Sequence, residues 1–163
     1  MTWDANGILR ETADGNSVSR VFVGPNAERM IGVDSTGTTL WFGDSETLLG
    51  LNGAVVRRYH HLAAGGPIAR IENASSVELQ YADTLQNLRL ATTRTGAVAA
   101  AFTYGAFGEV LSSIGADKHA RQFNGKDSER VAGLRSYGYR SYDPLTLRWV
   151  SADPVASAAP DLG

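Results

Sequence analysis

Short runs of β-branched and aromatic residues, each closed by a turn carrying glycine or asparagine, follow one another along this chain. They predict strands over residues 18–23, 29–33, 38–42, 55–60, 68–71, 77–81, 88–93, 98–104 and 136–141. Asn6-Gly7, Asp14-Gly15, Asn52-Gly53 and Thr95-Gly96 separate such runs, and Ser35-Thr36-Gly37 is a longer variant. Asn-Gly and Asp-Gly mark hairpins because a type I′ turn needs positive φ at both central residues. Val55, Arg57 and Tyr59 alternate with Val56, Arg58 and His60, the period of a sheet with two different faces. Helical signals are confined to single turns at 45–51 and 117–122, too short to be stable alone. The pattern predicts an all-β fold: a curved antiparallel meander of short strands with little helix.

Within that pattern, residues 135–154 (RSYGYRSYDPLTLRWVSADP) stand out. They hold three tyrosines, three arginines, Trp149 and two Asp-Pro pairs, Asp143-Pro144 and Asp153-Pro154. Proline fixes φ and removes a donor while aspartate caps the turn, so a strand, a turn and a second strand are expected. Upstream, an aromatic strand, a polar turn and an arginine-bearing strand recur as a unit. Trp3-Asp4-Ala5-Asn6-Gly7, the eight residues from Phe22 to Arg29, and Asp34-Ser35-Thr36-Gly37 are three degenerate copies. Internal repeats of this kind imply units that bury their faces on one another.

These copies resemble the tyrosine-aspartate repeats, Y-D-x-x-G-R, of Rhs proteins. Tyr104-Gly105-Ala106-Phe107-Gly108-Glu109 is similar to the Y-x-x-F-G-E segment of the Rhs core, and Phe123-Asn124-Gly125-Lys126 to its F-x-G-K step. Gly133-Leu134, then Tyr137, Arg140, Tyr142, Asp143 and Pro144, then Arg148, Trp149, Ser151, Asp153 and Pro154, resemble the Rhs-associated core motif. The resemblance divides the chain into a degenerate repeat meander (1–103), a core-like region (104–154) and a flexible tail (155–163). It departs from the family where Ala27 and Leu147 stand in place of turn glycines, and where the early copies lack most of their tyrosines and aspartates.

The resemblance implies a β shell with a plug, and a structural, non-catalytic role in encapsulating or delivering a C-terminal cargo of a secreted bacterial toxin. Its implied partners are the remainder of a longer Rhs shell or a second copy through open sheet edges, with a toxin cargo. Export or a place at the bacterial cell surface follows from the family, although MTWDANGILRET shows no signal peptide. Rhs proteins and related toxin-complex subunits also self-cleave behind the core, using aspartates. Asp153, with Arg148 to hold a carboxylate or carbonyl, occupies the position that this chemistry carries over. The family's second acid lies in a terminal segment with no match here, and Asp161 is the only late substitute. Self-cleavage is therefore a remnant reading.

Other chemistry is narrower. The aromatic and arginine density has an alternative reading as a carbohydrate-binding or adhesion module, with Tyr142 and Trp149 stacking on a cell-surface glycan. His60 and His61 are neighbours on a strand and point to opposite faces, one packed and one solvated, which disfavours a shared metal; His119 lies far away. No metal or cofactor is expected. Arg57-Arg58 reads as a solvated edge that discourages aggregation. Asn73-Ala74-Ser75 is a sequon. With 163 residues, 43% hydrophobic and 20% charged, the chain has an ordinary composition for one domain. A net charge of −2 excludes a general electrostatic grip on nucleic acid. The absence of cysteine excludes disulfides and a thiol nucleophile, and no apolar run is long enough to span a bilayer.

Overall fold

Each strand turns back on its predecessor, as the spacing of turn residues predicts. The computed structural model describes residues 1–4, 8–64, 66–115, 121–129 and 133–153. Strands β1 (Thr2–Trp3), β2 (Leu9–Asp14), β3 (Ser17–Val23), β4 (Arg29–Asp34), β5 (Gly37–Phe42) and β6 (Ser45–Leu49) come first. They are followed by β7 (Val55–Ala63), β8 (Pro67–Glu72), β9 (Ser76–Ala82), β10 (Leu88–Thr93), β11 (Val98–Tyr104) and β12 (Val110–Gly115). All twelve pair antiparallel in sequence order, giving an open, curved meander with β1 and β12 at its edges. A second sheet of three short strands, β13 (Arg135–Ser136), β14 (Ser141–Asp143) and β15 (Arg148–Trp149), follows. The only helical element among the described residues is a 3₁₀ turn at Phe123–Gly125.

One five-residue turn recurs, and at four of its copies a carboxylate closes it, in one of two ways. In the first, Asp83 accepts from the amides of Leu85 and Asn87, both at 3.0 Å, while Arg89 Nε donates to its other oxygen at 2.9 Å. Asp4 does the same with Ile8 N (3.0 Å) and Arg10 Nε (2.8 Å). In the second, glycine replaces the aspartate, and a glutamate four residues later reaches back to the same amide. Glu28 accepts from Asn26 N at 2.8 Å and Glu109 from Phe107 N at 3.2 Å. A Cβ on Gly24 or Gly105 would run into that glutamate carboxylate, so the two solutions exclude each other. Because all four turns follow odd-numbered strands of a meander, they lie at the same end of the sheet.

Three expectations are corrected. Residues 45–51 do not form a helical turn: Ser45–Leu49 is strand β6, paired on both sides with β5 and β7. Two flanking ladders satisfy its backbone where a lone turn would leave most of it open. Residues 136–141 are not one strand, since Tyr137 N donates to Arg140 O at 2.9 Å and Gly138 takes φ +75°, making a hairpin turn between β13 and β14. Arg57-Arg58 is not at an edge, because β7 lies inside the sheet. The Asn6-Gly7 turn, residues 117–120 and the tail 155–163 fall outside the described residues.

The register gives the two faces of the sheet opposite characters. On one, Trp41, Glu46, Tyr59 and Glu72 stand in a row across four strands, and His61, Arg70 and Glu78 form the next. Further along, this face becomes the apolar core: Leu88, Ala91, Ala100, Phe102 and Tyr104, with Phe123 packed against them. Tyr104 Oη donates to the Leu88 carbonyl at 2.9 Å, which satisfies the one polar atom in the cluster. The other face is apolar yet exposed. Tyr81, Leu90, Ala101 and Ile114 form a row, and Phe22 and Ile31 another beginning, with Phe22 53% and Ile114 67% exposed.

Candidate functional site: the strap and its small sheet

The chain leaves the large sheet after β12, and residues 121–129 cross its polar face as a strap. At one end, Leu88 N donates to Gln122 O at 2.9 Å and Asn124 N to Asn87 Oδ1 at 2.9 Å. The Phe123 ring rests against Gly108, whose φ of +94° and missing Cβ leave room for it, and 5.7 Å from the Tyr104 centroid. Asn124 itself takes φ +52°, the left-handed region that asparagine tolerates. Midway, Arg121 meets Asp127 at 3.2 Å and Asp44 at 3.6 Å. At the far end, the strap carboxylates Asp127 and Glu129 face Arg29 on β4 at 3.9 and 3.5 Å. The Arg29 guanidinium lies 4.0 Å over the Trp41 ring. Burial pushes Glu129 up, and the neighbouring Asp127 charge adds to it, against the pull of Arg29.

The polar face under and beside the strap is paired internally. Arg70, 2% exposed, donates to Glu78 at 2.6 Å and lies 4.4 Å over Tyr59. Arg57 meets Glu72 at 3.0 Å. Burial raises the Tyr59 hydroxyl above its usual range, opposed by both arginines. A buried charge is tolerated only with such a partner. His61 is packed, with Nε2 3.8 Å from Glu46, while His60 is exposed and meets Ser45 Oγ at 2.9 Å on the other face. The pair does not converge, and among the described residues no cluster of three metal-ligating side chains occurs. The sequon asparagine is occupied too: Asn73 Oδ1 accepts from Arg58 N at 2.8 Å.

The small sheet gathers most of the core-motif residues. Tyr137, Tyr142 and Trp149 pack edge to face, with centroids 5.2–6.5 Å apart. Arg140 covers the Trp149 ring at 4.1 Å and reaches Asp153 at 3.1 Å. The arginine beside Asp153 is therefore Arg140. Arg148 is exposed on β15 and stands opposite Asp143 in register. Asp143 caps the Asp-Pro turn, accepting from Leu145 N at 2.9 Å and Thr146 Oγ1 at 2.7 Å. Burial opposes ionisation of Asp143, but the bonds from Thr146 and Leu145 outweigh it and hold its carboxyl below the usual range. Pro144 is buried beside it and Ser151 half-buried. Pro154, His119 and Asp161 lie outside the described residues.

Sequence reasoning missed the strap's anchors, Arg29, Asp127 and Glu129, and the Asp83 turn. The spacing of Asp4 to Arg10 and Asp83 to Arg89, six residues in both, was the available signal for the turn. The strap contacts carry no such spacing.

No family model and no curated protein matches the chain. Solved structures do. A chain of the crystal structure of TcdB2-TccC3-Cdc42 aligns with a TM-score of 0.81 and 17% identity over 94% of this chain. One of TcdB2-TccC3 gives 0.80 and 18% over 94%, and one of the Tc holotoxin pore of Photorhabdus luminescens gives 0.78 and 17% over 96%. In each case this chain spans 9% of the other's length. At such identities the likeness is one of fold: the chain is built like a short stretch of these much longer Tc toxin chains.

Proposed function

We propose that this protein is a structural, non-catalytic segment of an Rhs-type β shell, of the kind that encapsulates or delivers a C-terminal cargo. The observation that carries the reading is the likeness along 94% of the chain to part of the TcdB2-TccC3 chains. The ordered motif matches from Tyr104 to Asp153 support it independently. In this reading the open sheet is a few turns of a shell wall whose other turns are its partners, a toxin is the cargo, and the polypeptide is exported by a bacterium. The small sheet acts as a brace: Asp153 fixes Arg140, which fixes Trp149 against Tyr137 and Tyr142.

A chimera tests it. The stretch of a TcdB2-TccC3 chain on which this protein superposes is replaced by residues 1–153, and the particles are imaged by electron microscopy. A closed shell is the expected result. Collapsed or open particles, while the isolated chain keeps the circular dichroism of a β sheet, would overturn the proposal.

A further inference from the structure

The two edges of the large sheet differ. β1 has two residues and a shifted register at Thr2 and Trp3, so it offers little backbone to a partner. β12 is six residues long, all of them exposed, and among the described residues it is paired only with β11. A strand aims alternate N–H and C=O groups to its two sides, so pairing on one side leaves half of them without a strand partner. Its sequence, Val-Leu-Ser-Ser-Ile-Gly, has no charge and no proline, the residues that usually blunt such an edge. The one irregularity, a register shift where Tyr104 meets Val110, bulges Leu111 and leaves 112–115 in regular pairing. On the exposed face, the apolar row of Tyr81, Leu90 and Ala101 runs out to Ile114 and stops there, 67% exposed.

We infer that β12 is a pairing edge whose occupant is β12 of a second copy of this chain, antiparallel across a twofold axis through Ser113. A homotypic antiparallel pair places one residue opposite itself, and the shift at Val110 moves the best register off Ser112. About Ser113, Ser112 of each copy faces Ile114 of the other, and all three residues lie in the regular stretch. No like charges meet, which a basic or acidic edge would not allow. The two Ile114 side chains then stand on the diagonal, about 7–8 Å apart at Cα, and the two apolar rows continue into each other. The pairing closes on itself, because the short β1 edge gives head-to-tail growth no template. This inference concerns the chain on its own and rests on strand geometry, so a failed chimera leaves it standing.

The test uses the full chain. Light scattering at high micromolar concentration is expected to show a dimer, and Ile114→Lys to weaken it at least about tenfold by placing charge on the shared face. Since the sequence has no cysteine, single cysteines report register directly. Ser113→Cys is expected to form a disulfide-linked dimer at least about tenfold faster than Ser112→Cys or Ile114→Cys, because only a residue facing itself sits within disulfide reach. A monomeric wild type, or three variants that cross-link equally, overturns the inference. Should Ile114→Lys fail to fold, Ser112→Lys on the same face replaces it, and an unchanged dimer there overturns it equally.

Discussion

Leu147 closes the Asp-Pro turn with φ +60°, a conformation that an L side chain enters at a cost of about 1–2 kcal/mol. Resemblance to the Rhs motif had marked that position, and Ala27, as places where glycine belongs; both take positive φ. What sequence left out is that Gln86 and Ala74 do so as well, because no glycine is missed where no motif is seen. Leu147 is half exposed, so glycine there removes strain with little lost burial. Leu147→Gly is expected to stabilise the fold by about 1 kcal/mol, read as a rise of about 2–4 °C in Tm by calorimetry. A fall in Tm would mean that the leucine side chain contributes more than its backbone costs.

Among the elements, the strap is the one whose placement depends on buried charge. Glu129 is 5% exposed, and burial raises its pKa despite Arg29. A carboxyl with a raised folded pKa stabilises the folded form below its ordinary pKa and loses that contribution as pH rises through the folded value. The docked strap should therefore tighten on acidification, the reverse of the Asp83 and Asp143 turns. Both of those carboxyls are held below the usual range, by bonds from Asn87 and Arg89 and from Thr146 and Leu145 that outweigh burial. Their contribution is present above the ordinary aspartate pKa and is lost as pH falls through the lowered one. Hydrogen exchange of amides 121–129, corrected for intrinsic rates, is expected to slow between neutral and mildly acidic pH. In Glu129→Gln that dependence should flatten; a wild-type strap insensitive to pH would contradict the sign.

For the whole molecule, the consequence is a sheet with an unusual distribution of polarity: charged pairs under the strap, apolar rows on the open side. The structural role proposed for it needs no turnover. Intact mass is expected to stay constant over days from acidic to alkaline pH, for wild type and Asp153→Asn alike. A wild-type mass loss that Asp153→Asn abolishes would restore a catalytic role to Asp153. The residue's observed partner, Arg140 at 3.1 Å, belongs to the aromatic brace.

The chain's own order of apolar runs and turn residues was enough to determine the class of fold, the meander order of the strands it predicts, and the crowding of aromatics at 137–149. Those features are local: a two- or five-residue turn dictates its hairpin whatever lies beyond it. Ser45–Leu49 was illegible because its alternation is too short to outvote a helical turn, and only ladders from β5 and β7 settle it. Which face is covered, which arginine meets Asp153, and where Glu129 ends up were decided by tertiary structure alone. The place of Glu129 depends on residues about a hundred positions apart, Arg29 and Asp127 to Glu129, meeting across the sheet, and no periodicity encodes that distance.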